Sequence, residues 1–189
     1  MRHKYETRGI VLSRASVGEA NVFVTLVTQE LGLVHARAQG VRKSGAKLAS
    51  ALTTFTESNV VLVRGKEGWR IAGAVLEENW SRRLTRSASR TRAARVSGLL
   101  LRLVAGEVHD QKLFPIMNGF FEALATHSED LHESIEVLAV LRMLAVLGLD
   151  TGNAQEELSE FALPFLAPIV VDRINYISRI NRGIAASGL

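Results

Sequence analysis

The residues best placed to do chemistry lie close together in Gln39–Ala51, QGVRKSGAKLASA, which carries Arg42, Lys43 and Lys47, two glycines and no acid. Cations on a glycine-bearing loop suit phosphate, because guanidinium and ammonium groups donate charge-assisted hydrogen bonds to its oxygens. Gly40 and Gly45 have the spacing of a nucleotide-binding P-loop. That chemistry also needs Lys directly after the second glycine and then a hydroxyl for magnesium. Ala46 and Lys47 stand at those two places, so the sequence argues against triphosphate hydrolysis and for a polymeric phosphate backbone as ligand. Arg14 and Arg37 precede the loop, and Arg82, Arg83 and Arg86 open an arginine-rich stretch further on. These cations complete the candidate phosphate contacts.

Other reactive groups are scattered. Of the histidines, only His127 and His132 are near each other, and a spacing of five puts them on different faces of a helix. Solvent-facing or capping roles are expected for them. Glu107 with Asp110, and Glu129, Asp130 and Glu133, could hold Mg²⁺ for a nuclease, but carboxylates near helix ends more commonly interact with the helix dipole or solvent. No nucleophile, base and orienting group stand together. The chain has no cysteine, so it forms no disulfide and no Cys-ligated zinc site. We expect no cofactor, no structural metal and no small-molecule substrate.

Elements that could position these residues follow from periodicity. Arg8–Ala15, Val22–Thr28, Leu33–Gln39, Thr54–Gly65 and Trp69–Glu77 read as strands separated by turn signals. Lys47–Leu52 suits one or two helical turns. Five short strands with a helical insert after the third predict an OB-type β-barrel. From Ser81 the period becomes helical, over Arg82–Leu103, Phe114–Ala125, Leu131–Leu147 and Ile169–Ile184, with Gly148 ending the third helix and Pro164 and Pro168 bracketing a break before the last. The expected class is α+β multidomain, with a nucleic-acid-binding barrel over residues 1–80 and an all-α domain over 81–189. Among the aromatic residues of the front half, Phe23 and Phe55 lie in apolar surroundings and are expected in the core, while Tyr5 and Trp69 are the candidates for exposure.

Charge divides the chain in the same way. Residues 1–100 hold 17 Lys/Arg and 7 Asp/Glu, and residues 101–189 hold 6 and 12. A cationic front half suits a polyanion. The polar N-terminus leads into no long apolar run, so no signal peptide and no membrane partner are expected, and the absence of cysteine fits a cytoplasmic protein.

Gly9–Leu12, Gly18–Glu19, Thr25–Thr28, Gly32, Gly40–Lys47, Leu48, Leu52 and Phe55–Thr56 form an ordered set. In that set the chain resembles the N-terminal domain of the RecO family of bacterial DNA repair and recombination mediators. More weakly, KLFPIMNGFFEAL and EVLAVLRMLAVLGLD resemble that family's helices. Two features depart from the family. Val17 replaces an aromatic before the Gly-Glu turn, and Leu149–Leu166 replaces the four-cysteine zinc ribbon of many members, so the chain looks like a short form without the metal.

The resemblance implies a non-catalytic, nucleoid-associated mediator. Such a protein binds single- and double-stranded DNA, anneals complementary strands and, with RecR, helps load RecA onto DNA coated by single-strand-binding protein. It further implies a groove in the helical half for the acidic, hydrophobic-ended tail of single-strand-binding protein. Arg142 lies in the apolar stretch Ile135–Leu147 and is the candidate to meet that tail's carboxylate; a buried salt bridge to Glu136 or Glu107 is its other reading. Competing readings are a duplex-DNA-binding regulator acting through the Arg-rich helix 82–102, an assembly scaffold, and a DNA-processing enzyme built on Glu107 and Asp110.

Overall fold

The computed structural model describes residues 3–17, 21–39, 41, 48–104, 106–152 and 157–189. The cationic loop residues Arg42, Lys43 and Lys47, the Gly18–Glu19 turn and Gly40 lie outside them.

The described residues form five strands: β1 (Lys4–Val17), β2 (Asn21–Thr28), β3 (Gly32–Ala38), β4 (Thr56–Gly65) and β5 (Gly68–Asn79). They close into a barrel in the order β1-β2-β3-β5-β4, with β4 returning to β1. Every pair is antiparallel except β3 with β5, where Ala36–Ala38 run parallel to Trp69–Ile71. This is the expected OB-type barrel. Closure gives every strand two neighbours, and β1 serves its two largely with different stretches, pairing Lys4–Ile10 with β4 and Gly9–Val17 with β2, with an irregularity between Val11 and Ser13. Such bulges sharpen the local bend. The interior is filled by alternate residues, among them Val22, Val24, Leu26, Val34, Ala36, Ala38, Val60, Leu62, Trp69 and Ile71. That alternation follows from the two-residue period of a strand.

Of the insert expected over Lys47–Leu52, the structure describes Leu48–Leu52. Leu48–Leu52 makes one turn, closed by the Leu52 N–H on the Leu48 carbonyl at 3.1 Å. Ala51 and Leu52 are buried, and the Thr56 and Ser58 hydroxyls both donate to the Ala51 carbonyl, at 2.9 and 2.8 Å. Two polar strand residues thereby tie the insert to β4.

The helices are α1 (Trp80–Arg83), α2 (Ser87–Leu103), α3 (Leu113–Thr126), α4 (His132–Val146), α5 (Leu163–Val171) and α6 (Arg173–Ala186), with a 3₁₀ turn at Glu129–Leu131. The expected continuous helix over 82–103 is broken. Arg86 is extended (φ −87°, ψ 139°), and Arg90 Nη2 donates to the Thr85 carbonyl at 2.9 Å, where a continuous helix would have placed a backbone N–H. The prolines also behave differently from expectation. Pro164 sits in the first turn of α5, where an N–H is dispensable, and Pro168 lies inside the helix. The break falls instead at Asp172 (φ −125°, ψ 47°). Gly148 does end α4: its φ of +73° suits glycine, and the Leu149 N–H reaches back to the Leu144 carbonyl at 2.7 Å.

Two compact units result. One is Met1–Arg83 with Gly106–Phe114, and the other is Leu84–Ala105 with Pro115–Leu189. In the first, the later segment closes on β3: Leu33 and Val108 exchange both backbone hydrogen bonds, at 2.8 and 3.2 Å. Gly32 permits the approach, since a Cβ there would stand 2.1 Å from the Val108 carbonyl oxygen. In the second, α4 is buried along nearly its whole length beneath α2, α5 and α6.

Candidate nucleic-acid interface

Phe23 sits between Val22 and Val24, both in the barrel interior, so the pleat turns it outward, and it is 44% exposed. Its partner across β2 and β3 is Arg37, and the partner of Arg37 across β3 and β5 is Arg70. Ala36, Ala38, Trp69 and Ile71, which flank those two arginines, are likewise in the core. Phe23, Arg37 and Arg70 therefore form a row on the outside of the barrel, perpendicular to the strands.

A cleft of about 770 Å³ lies over this row, lined by it together with Gln39, Trp69 and the β4–β5 turn Val63–Gly68. Arg37, Arg64, Lys66 and Arg70 bring positive charge to its wall, and Glu67 is the carboxylate there. The cations differ in commitment. Arg64 donates to both oxygens of Glu107, at 3.1 and 2.9 Å, and lies 4.9 Å from the centre of the Trp69 ring. Lys66 and Arg70 make no ion pair among the described residues. The Nε of Arg37 and the Nε1 of Trp69 are buried donors without a hydrogen-bond partner among the described residues. Tyr5 packs edge-on against Trp69 at 5.3 Å. The result is a concave cationic surface with aromatic rings, which can take phosphates and the faces of bases.

Sequence reasoning placed Arg37 here but missed Arg64, Lys66, Arg70 and Phe23. The expected burial of Phe23 is corrected, because apolar neighbours on both sides hid the period-2 alternation that carries it outward. The expected exposure of Trp69 is corrected too: at 7% exposed it belongs to the barrel core. The signal available was VRGKEGWR, a hairpin with three cations whose last member falls on the outward parity of β5.

The remaining candidates are dispersed. Arg14 is half-buried opposite Val24, on the parity that points inward, and is not part of the row. Arg82 is exposed, and its backbone N–H bonds Asn79 Oδ1 at 3.0 Å. Arg83 pairs with Glu78 at 3.2 Å and covers the Trp80 ring at 4.9 Å. Trp80 itself is buried, with its indole N–H on Glu57 at 3.3 Å, and Glu57 is also held by Arg8. Arg86, in the helical unit, faces Glu129 at 3.5 Å. Nor is His132 solvent-facing: it is buried, with Nε2 donating to the His127 carbonyl at 3.1 Å and Nδ1 3.4 Å from the Ser89 hydroxyl.

Residues 1–78 match the sequence family described as Recombination protein O N terminal. The chain is 41% identical over 64 residues to the DNA repair protein RecO of Dehalococcoides mccartyi, covering 34% of this chain and 25% of that one. Longer matches reach further into the helices. The DNA repair protein RecO of Heliobacterium modesticaldum is 30% identical over 172 residues, 87% of this chain and 62% of that one, and its namesake in a Synechococcus strain is 30% identical over 149 residues, 74% and 50%. The chain belongs to the RecO family. It spans between about a quarter and about three fifths of these relatives' lengths. The family match ends at β5, so the cationic row lies wholly within the stretch that resembles the RecO N terminus.

In the helical unit of this RecO-family chain, Arg142 is 1% exposed. Its Nη1 donates to the carbonyls of Leu158 and Glu160, at 3.2 and 2.6 Å, and its guanidinium lies 4.9 and 5.4 Å from the centres of Phe161 and Phe165. Burial pushes it below the ordinary arginine value, while Glu157 and Glu160 favour its charge. Glu136 is engaged elsewhere, by Arg92 and by Arg95 at 2.8 Å. Gly119 lets the strap Glu157–Phe161 lie close to α3, since a Cβ at that position would stand 2.1 Å from the Ser159 oxygen. Among the described residues, no three His, Asp or Glu side chains cluster to hold a metal ion, and no helix is long and apolar enough to cross a membrane.

Proposed function

We propose that the chain is a non-catalytic recombination mediator that binds single- and double-stranded DNA through its barrel and anneals complementary strands. The observation that carries this reading is the outward row Phe23–Arg37–Arg70 beneath a cationic cleft, within the part of the chain that matches the RecO N terminus. Annealing needs no catalytic group. It needs cations that relieve repulsion between two polyanions and release their counterions. Lys66 and Arg70 supply such charge, and we assign further phosphate contacts to Arg14, Arg37, Arg42, Lys43, Lys47, Arg82, Arg83 and Arg86. By its family it then acts in the cytoplasm, with RecR, to help load RecA onto DNA coated by single-strand-binding protein.

The alternative site, helix 82–102, is less favoured on charge. Arg83, Arg86, Arg92 and Arg95 face Glu78, Glu129 and Glu136, so much of its charge is compensated within the protein. For the tail of single-strand-binding protein we retain Arg142 as receptor, with one requirement: the strap Glu157–Phe161 covers it and must move aside. That strap is acidic and ends in an aromatic residue, which is the chemistry expected of the tail itself.

The test is annealing of complementary oligonucleotides, bare and coated with single-strand-binding protein. The mediator reading requires faster annealing in both cases. A folded protein that binds DNA and leaves both rates unchanged would reject it.

A further inference from the structure

The cations of the cleft explain affinity for a phosphate backbone, but they do not explain Phe23. A single exposed apolar side chain is ordinary on a protein surface, so exposure alone says little. Its surroundings say more. Tyr5 and Trp69 are paired with each other, and Arg64 covers Trp69. Phe23 makes no ring or cation contact among the described residues, although it lines the same cleft. A bare ring is flanked on its own row by Arg37, and Arg70 follows one strand further on. Strands lie about 4.8 Å apart, so Arg70 is two strand spacings, roughly 10 Å, from Phe23, within reach of the phosphates that flank a base seated on the ring. The cleft volume also falls in the range of pockets that hold small organic groups, roughly 300–1,000 Å³.

We infer that this cleft takes single-stranded nucleic acid with one base unstacked and laid on the Phe23 ring, while Arg37 and Arg70 hold the neighbouring phosphates. The inference rests on the nucleic-acid-binding reading above and assigns the strand state to that site. Within a duplex the base faces are already stacked, and only the backbone and the base edges in the grooves are offered, so the ring has no face to stack on there. A single strand presents base faces, and aromatic stacking accepts any base because each has a π face. The site therefore selects single strands with little sequence preference.

The experiment compares three probes on the full chain: oligo(dT), an abasic oligomer of the same length and charge, and a hairpin duplex. Stacking of one base predicts that wild type binds oligo(dT) between about fivefold and about a hundredfold more tightly than the abasic oligomer. Phe23→Ala should lose that preference and keep its duplex affinity and salt dependence, since no cation is removed. Phe23→Trp should keep the preference, and its added indole should be quenched by oligo(dT) and not by the abasic oligomer. Phe23→Ala that still prefers oligo(dT), or an added indole in Phe23→Trp that responds alike to both oligomers, overturns the inference while leaving the cationic interface intact. A wild type that binds none of the three probes overturns the DNA-binding reading itself, and the inference with it.

Discussion

Replacing Arg37, Lys66 and Arg70 together by Ala should weaken DNA binding in a way that salt reveals quantitatively. The three cations line one cleft, and Lys66 and Arg70 have no intramolecular counter-ion among the described residues. Each is therefore free to displace a counterion from a phosphate. A phosphate contact contributes about 0.7 to the slope of log K against log salt on single strands and about 0.9 on duplex. Losing three lowers the slope by about 2.1 on single strands. Across a fourfold rise in salt, from roughly 50 to 200 mM, wild type should then lose about twentyfold more affinity than the triple variant. Arg64→Ala is the control within the same wall. Its guanidinium already holds Glu107, so removing it should change the slope by much less than one contact. Fluorescence anisotropy of a labelled oligonucleotide over that salt range, with circular dichroism to confirm folding, measures both. A folded triple variant with the wild-type slope would show that the cleft does not carry the phosphates.

Replacing Arg42, Lys43 and Lys47 by Ala should lower the salt slope by up to about 2–3 units on duplex and act equally on unrelated sequences; an unchanged slope would leave the barrel cleft and Arg82–Arg95 as the phosphate contacts. Arg142→Ala should destabilise the helical unit by about 3–5 kcal/mol, because it removes two hydrogen bonds from a charged donor, each contributing about 1.5–3 kcal/mol. Urea unfolding followed by far-ultraviolet circular dichroism should show this, whereas Trp69 and Trp80, both in the barrel unit, should report a smaller change. The folded-state value of Arg142 is lowered by burial, so stability rises with pH only between that value and the ordinary arginine value, where the unfolded chain binds the extra proton. A tail peptide of acidic residues ending in phenylalanine should bind wild type more weakly than a chain in which Phe161→Ala loosens the strap; equal affinities would remove Arg142 from the tail site.

Much of the fold was legible because its determinants are local. The strands β1 to β5 alternate in and out with Gly-rich turns between them, and the two-residue and helical periods change over at Trp80. The site was less legible because it is a product of register. Phe23, Arg37 and Arg70 are far apart in sequence and stand in one row only because β2, β3 and β5 pair as they do, β3 and β5 in parallel. No periodicity announces a parallel closure. Arg142 was recognisable as an expensive charge in an apolar helix. Its partners were not, since they are backbone carbonyls of a strap with no regular structure, and a carbonyl leaves no trace in the sequence.

Charge compensation argues for the barrel, rather than the more arginine-rich helix, as the proposed polyanion surface. Counting residues makes the back half acidic and the front half basic, but the structure distributes the acids as counter-ions. Within the helical unit Glu129 faces Arg86, Glu136 faces Arg92 and Arg95, Glu133 faces Arg173 at 3.1 Å, and Asp150 faces Arg179 at 2.7 Å. The two exposed pairs, Arg86–Glu129 and Arg173–Glu133, add little to stability, at most about 1 kcal/mol each. Their larger effect is on the field: a cation beside a carboxylate has a counter-ion already and gains less by meeting a phosphate. In the barrel cleft Glu107 plays that part for Arg64, and Lys66 and Arg70 are left as free charge among the described residues. Raising salt should accordingly release DNA from the barrel well before it disturbs the helical unit, whose buried α4 and Arg142 contacts are screened far less.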